Sequence, residues 1–122
     1  MGKYEYIIEL GKTLPVIEEK YKTEDNIIKG CQSRVWLFAE MNNGKVFFTA
    51  DSDAIITKGL VAIMVRVLSG HTPDEILDAR MEFIDVIGLK QHLSPTRSNG
   101  LLAMVKRMKM DALMYKGQLS GN

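Results

Sequence analysis

Two alternating runs meet at an Asn-Asn-Gly turn, and no other feature restricts the fold of this 122-residue chain as strongly. From Arg34 to Met41, the side chains of Val35, Leu37, Ala39 and Met41 fall on one side and Trp36, Phe38 and Glu40 on the other. A period of two is that of a strand with one buried face. Asn42-Asn43-Gly44 tolerates the positive φ of a tight turn, and Lys45–Ala50 alternates again through Val46, Phe48 and Ala50. The pattern predicts an antiparallel hairpin. Trp36, Phe38 and Phe47 share its second face, so both faces are expected to be partly covered. With no basic residues interleaved, these aromatics read as core and not as a stacking platform for bases.

Helical spacing surrounds the hairpin. Tyr6, Ile7, Leu10 and Leu14 form a stripe over Tyr4–Leu14, which Pro15 stops. Val16–Tyr21 adds a short turn and Lys22–Asn26 a polar connector. Asp51 or Ser52 is expected to cap a helix to about Leu68, with Ile56, Leu60, Ile63, Met64 and Val67 as its main stripe and Val61, Val65 and Leu68 widening it. A helix apolar on most sides is a buried one. Gly70 supplies a C-terminal stop. Thr72-Pro73-Asp74-Glu75 is a capping box with proline at the first helical position, predicting a short helix to about Ala79. A further short helix over Glu82–Ile87 ends at Gly88, Leu89–Gly100 reads as a polar loop, and a last helix over Leu101–Tyr115 buries Leu101, Val105, Met108 and Ala112. Helices flanking a small antiparallel sheet make an α+β domain.

Composition excludes several classes. With 46% apolar and 25% charged residues, the chain is neither disordered nor of low complexity. Its longest apolar run, Leu60–Val65, falls far short of the roughly 18 residues that span a bilayer. Lys3, Glu5 and Glu9 interrupt any signal-peptide core, and Tyr6 stands where a myristoylation signal needs Ser or Thr. Sixteen basic against 15 acidic side chains leave no basic excess for a nucleic acid. The single basic cluster, Lys106, Arg107 and Lys109, reads as a solvated helix face. No nucleic-acid partner and no membrane partner is therefore expected.

The chain has one cysteine, Cys31, and two histidines, too few for an internal disulfide or a conventional zinc site. A lone cysteine is either a small buried hydrophobe or a reactive group. Gly30, Gln32 and Ser33 beside it lack the apolar pattern of a buried strand. Lys29, Arg34, His92 and Arg97 are cations that would favour the reactive thiolate if they came close. Asp51 and Asp53 read as dipole-favoured caps. His71 precedes a helix cap, and His92 in its polar loop makes only a weak pair with Cys31 for a hydrolase. A reducing, cytoplasmic setting is expected.

Gly30-Cys31-Gln32-Ser33-Arg34-Val35-Trp36, Asp51-Ser52-Asp53-Ala54, Lys58-Gly59-Leu60 and Gln91-His92-Leu93-Ser94-Pro95-Thr96-Arg97-Ser98-Asn99-Gly100-Leu101 together resemble the SufE/CsdE family. These are sulfur-acceptor proteins of iron–sulfur cluster assembly. Tyr6-Ile7-Ile8-Glu9-Leu10-Gly11-Lys12-Thr13-Leu14-Pro15 resembles the family's N-terminal segment, so the likeness runs through nearly the whole chain, 1–122, as one domain. Family members have a further helix ahead of that segment, where only Met1–Glu5 stand here. The resemblance implies a two-layer fold of SufE/NifU type: a small three-stranded antiparallel sheet with helices packed on one side. Its first strand would lie near Ile27–Lys29, with Cys31 on the loop at the tip of the sheet.

The resemblance also implies a chemistry. A pyridoxal-phosphate cysteine desulfurase of the SufS/CsdA kind holds sulfur as a persulfide; Cys31 accepts it, stimulates that enzyme, and passes the sulfur to an iron–sulfur scaffold or another acceptor. Thiol exchange of this kind needs one accessible thiolate. Gln32, Ser33, Asp53, His92 and Arg97 are the expected supporting and partner-binding residues. No cofactor or metal is expected on this chain, and the protein reads as a sulfur-transfer partner and not as a stand-alone enzyme. The alternative is a module that binds a desulfurase and regulates it without carrying sulfur. A three-cysteine cluster scaffold of the same fold would need two more ligands than the chain has.

Overall fold

The computed structural model describes residues 3–29, 33–80, 82 and 95–120. Strands β1 (Val35–Asn42) and β2 (Lys45–Ser52) pair antiparallel from Val35 opposite Ser52 to Asn42 opposite Lys45. Asn43 and Gly44 join them with φ of 54° and 78°. Two consecutive positive φ values match the right-handed twist of a hairpin, which is why Asn-Gly suits this connection. Val35, Leu37, Val46, Phe48 and Ala50 are buried on one face, as the alternation predicts.

That face is covered by helices. Helix α2 (Ile55–Leu68) lies on β2, with Leu60, Val61, Ala62, Met64, Val65 and Leu68 buried. Helix α1 (Lys3–Gly11) packs on α2. The contact is close enough that a Cβ on Gly59 would stand 2.0 Å from the Ile7 carbonyl oxygen. Only glycine admits this approach. Helix α3 (Pro73–Asp78) starts with the expected capping box: Thr72 Oγ1 accepts from the Glu75 amide, and the Glu75 carboxylate accepts from the Thr72 amide. Helix α4 (Pro95–Ser120) packs along α3 and reaches β1, burying Leu101, Met104, Val105, Met108 and Ala112.

Among the described residues, the second face of the hairpin carries no α-helix. Turns at Glu19–Tyr21 and Glu24–Asn26 cross it instead. The Tyr21 ring stacks on Phe38 with centroids 3.7 Å apart, and Lys22 Nζ sits 5.3 Å from the Trp36 ring centroid. Helices on one side of a small antiparallel sheet make the domain α+β.

Several local expectations change. The segment expected to supply a first strand joins the sheet through a single bridge, Ile27 to Trp36, with the Ile28 amide donating to the Val35 carbonyl at 2.9 Å. A 3-10 turn at 24–26 precedes it, Lys29 is in a turn, and residues 30–32 lie outside the described residues. Among the described residues the sheet therefore has two strands. Asp51 and Ser52 do not cap α2, because β2 continues through both; Ala54 stands at the cap without a side-chain bond. The stop at Gly70 holds, with φ 80° one residue beyond the helix cap. Helix α1 ends at Gly11, and Tyr6 is 62% exposed because the contact at Ile7 and Gly59 turns its neighbour outward. Pro95–Gly100 belongs to α4 and not to a loop, since proline's fixed φ suits an opening helical turn. Of the expected helix Glu82–Ile87, only Glu82 is described and is helical; the remainder, Gly88 and Leu89–Ser94 lie outside the described residues.

Candidate functional site

The segment containing Cys31 leaves the hairpin at its open end, opposite the Asn43-Gly44 turn. Its two stems are fastened by residues on either side. On the entering side, the Ile28 amide bonds the Val35 carbonyl, and Ile28 is buried. On the leaving side, the Arg34 amide donates to Asp53 Oδ1 at 3.1 Å while the Asp53 amide donates to the Arg34 carbonyl at 3.3 Å. This reciprocal pair continues the β1–β2 pairing one position past Val35 and Ser52. Ser33 Oγ lies 3.5 Å from Thr57 Oγ1, which brings the stem against the first turn of α2.

Asp53 stands at the end of β2, where it ties Arg34 to that strand. Its carboxylate accepts from a main-chain amide, and a charged acceptor strengthens such a bond. Ser33 is half-buried at the same place, whereas Arg34 and Lys29 are exposed. Arg97 falls in the opening turn of α4. Cys31, Gln32 and His92 lie outside the described residues.

Beside this neck runs a charge network invisible in the linear pattern. Lys22 Nζ pairs with Asp51 Oδ2 at 2.7 Å and with Glu19 Oε1 at 3.1 Å, and Lys58 Nζ lies 3.4 Å from Asp51 Oδ1. Burial opposes ionisation of Asp51, but the Lys22 hydrogen bond, the Ser52 amide and the nearby charges of Lys58 and Lys22 hold its carboxyl below the usual range. The hydrogen bonds to Asp51 and Glu19 in turn push the Lys22 ammonium above its ordinary value. Lys58 belongs to a motif block quoted above, but Lys22 reads only as connector; its partner lies 29 positions away and no local signal joins them.

The basic cluster on α4 is largely consumed by the fold. Arg107 Nη2 donates to the Asp25 carbonyl at 2.8 Å, and its Nε lies 3.5 Å from Asp111. Burial pushes the Asp111 carboxyl up, against the Arg107 charge. Lys109 Nζ donates to the Leu77 carbonyl at 3.3 Å and to that of Ala79, closing the end of α3. Of the three, Lys106 is exposed and the other two are half-buried. Among the described residues, no group of three or more His, Cys, Asp or Glu side chains is placed to hold a metal ion, and no helix is long and apolar enough to cross a membrane.

Fold and neck together define a small α+β domain whose sole cysteine lies in a segment fastened at both stems. The family model described as SufE: Fe-S metabolism associated domain matches residues 1–112. The chain belongs to the SufE family, and with it to iron–sulfur metabolism. Similar relatives include a SufE-like protein of Rhizobium etli, 46% identical over 116 residues, covering 90% of this chain and 78% of the relative. A Synechocystis SufE-like protein is 38% identical over 120 residues, covering 98% and 76%. The chloroplastic/mitochondrial SufE-like protein 1 of Arabidopsis thaliana is 44% identical over 113 residues, which span 92% of this chain but only 30% of that protein. The fold is shared with a solution structure from Thermus thermophilus, described as a hypothetical protein, at TM-score 0.75 and 21% identity, covering 91% of this chain and 82% of the other.

Proposed function

We propose that the protein is a sulfur acceptor for a cysteine desulfurase, with Cys31 as the accepting thiol. The observation that carries this reading is a single cysteine in the sequence Gly30-Cys31-Gln32-Ser33, in a chain matched to the SufE family across 1–112. The transfer is redox-neutral. The Cys31 thiolate attacks the terminal sulfur of the desulfurase persulfide, the bond between the two partner sulfurs breaks, the partner leaves as thiolate, and Cys31 becomes the persulfide. Pyridoxal phosphate belongs to the desulfurase, so this chain contributes the accepting thiol. Rates of such exchange follow thiolate fraction and access.

The fastened stems suit that task. Bonds from Ile28 to Val35 and from Arg34 to Asp53 fix the two stems that flank Cys31 in the chain. Gln32, Ser33, Asp53, His92 and Arg97 are the residues we assign to contact with the desulfurase, and a scaffold or other acceptor takes the sulfur onward for cluster assembly. The setting is the cytoplasm, where thiols stay reduced.

Intact-mass measurement after incubation with a cysteine desulfurase, pyridoxal phosphate and cysteine tests the reading. The wild-type chain gains one sulfur that a reductant removes, and Cys31→Ser gains none. Normal stimulation of the desulfurase by Cys31→Ser, without sulfur uptake by wild type, would leave the non-covalent regulatory module as the correct account.

A further inference from the structure

Away from the cysteine segment, a cleft of about 210 Å³ opens between the chain after α1 and the C-terminal half of α2, lined by Thr13, Pro15, Ala62, Val65, Arg66 and Ser69. Its position follows from the fold. Pro15 and Ile17 are drawn to the edge of β2 by bonds with Ala50, the Ala50 amide donating to the Pro15 carbonyl at 3.1 Å. The small side chain of Ala62 leaves the space between that strap and α2 unfilled. Arg66 lies near the end of α2, about three helical turns from Ile55, so the cleft is separate from the neck around Asp53 and Thr57.

The chemistry of the lining is specific. Pro15, Ala62 and Val65 give an apolar wall. Arg66 is exposed, and among the described residues it makes no ion pair; its contact is an Nη2 bond to Thr13 Oγ1 at 3.4 Å, longer than a well-formed N–H···O bond. The Thr13 hydroxyl spends its own proton on the Leu10 carbonyl at 2.7 Å, which fixes its lone pairs toward Arg66. Ser69 Oγ accepts from the Phe48 amide at 2.9 Å, and among the described residues it donates to no other group. Arg66, whose guanidinium has donors to spare, and Ser69 therefore line a hollow that has an apolar wall. A guanidinium fork matches a carboxylate.

We infer that this cleft binds a carboxylate carried on a short aliphatic stem, the stem lying on Pro15, Ala62 and Val65 and the carboxylate meeting Arg66 and the Ser69 hydroxyl. The volume is below the roughly 300–1,000 Å³ of sites for drug-sized ligands, so the occupant is of side-chain size. Two sources share this chemistry: a free aliphatic acid, or a glutamate on a segment of another protein. An exposed site with one cation gives weak binding, on the order of millimolar.

The test is an amide-resolved NMR titration of the full chain at constant ionic strength, using sodium 3-methylbutanoate, 3-methylbutanamide, the capped peptide acetyl-Val-Glu-Val-amide and its glutamine analogue. The carboxylates are expected to give saturable shifts at Thr13, Ala62, Arg66 and Ser69, and the uncharged analogues none. Arg66→Gln, a surface change that leaves the remaining spectrum in place, weakens the effect at least fivefold. Saturation by the free acid alone assigns a small-molecule source; saturation by the peptide alone assigns a protein segment. Shifts that grow linearly without saturating, that appear equally with the amides, or that survive Arg66→Gln overturn the assignment.

Discussion

Replacing Gly59 by alanine sets two physical effects against each other, and the structure decides between them. Alanine is favoured over glycine in a helix interior by about 1 kcal/mol, so propensity alone predicts a gain. At Gly59 the new methyl would stand 2.0 Å from the Ile7 carbonyl oxygen and 2.4 Å from Ile7 Cγ2. The carbonyl belongs to the backbone of α1, so relief requires the helix to move. Overpacking of this kind costs about 1–3 kcal/mol and sometimes more. If α1 lifts away instead, Ile7, which is 0% exposed, loses its burial, a loss comparable to the roughly 2–5 kcal/mol of truncating a core isoleucine. After the propensity gain is subtracted, the expected net effect is a destabilisation of about 1–4 kcal/mol, or roughly 4–15 °C in melting temperature for a domain of this size. Gly117 is the control, since nothing lies within 4 Å of a Cβ built there. Gly117→Ala is expected to raise the midpoint by a few degrees, given about 0.5–1 kcal/mol of helix propensity. Thermal and urea unfolding of both variants, followed by circular dichroism, gives the answer. An increase in stability for Gly59→Ala matching that of Gly117→Ala would refute the α1–α2 packing described here.

Three further outcomes follow from the same geometry. Asp53→Ala removes the acceptor from the Arg34 amide and should speed hydrogen exchange at Arg34 while lowering stability by no more than about 1 kcal/mol, because the group is exposed; unchanged exchange there would show that the tie does not hold the cysteine segment. Lys109→Met uncovers the carbonyls of Leu77 and Ala79 and should cost about 1–3 kcal/mol in urea unfolding, whereas a neutral result would mean that water serves them equally well. The Lys22–Asp51 pair gives a pH signature. Asp51 is held below its unfolded value near 4, so its stabilisation is full above that pH and is lost as pH falls through the folded value; Lys22 is raised, so its share is full below about 10.4 and is lost as pH rises through its folded value. Asp51→Asn should therefore flatten the acid limb of stability against pH, and an unaltered acid limb would contradict the network.

Much of this fold is written locally. Residues 35–50 alternate, and Asn43-Gly44 accepts positive φ, so the hairpin and its buried face follow from sequence neighbours. Thr72-Pro73-Asp74-Glu75 carries its own start signal in the same way. What escapes the sequence is set by distant partners. Asp51 and Ser52 have the chemistry of caps, yet pairing of Ser52 with Val35 extends β2 through them. Tyr6 and Ile7 both belong to the α1 stripe, and the approach of Gly59 selects Ile7 for burial. Pro95–Gly100 is polar enough to read as a loop, but an opening helical turn tolerates polarity. At the site, Cys31 and Asp53 stand out by motif, whereas the role of Asp53 as a tie to Arg34 and the Lys22–Asp51–Lys58 network arise only when the hairpin closes.

The most direct measurement of the central claim is a single-turnover transfer of radioactive sulfur. A desulfurase is loaded with ³⁵S-cysteine, freed of excess cysteine, and mixed with this protein. Label is expected to leave the desulfurase and appear in the peptide containing Cys31, a reductant is expected to release it, and with Cys31→Ser it stays on the desulfurase. Label that stays on the desulfurase with the wild-type chain, or that reaches the Cys31→Ser chain equally well, would contradict the assignment of Cys31 as the sulfur acceptor.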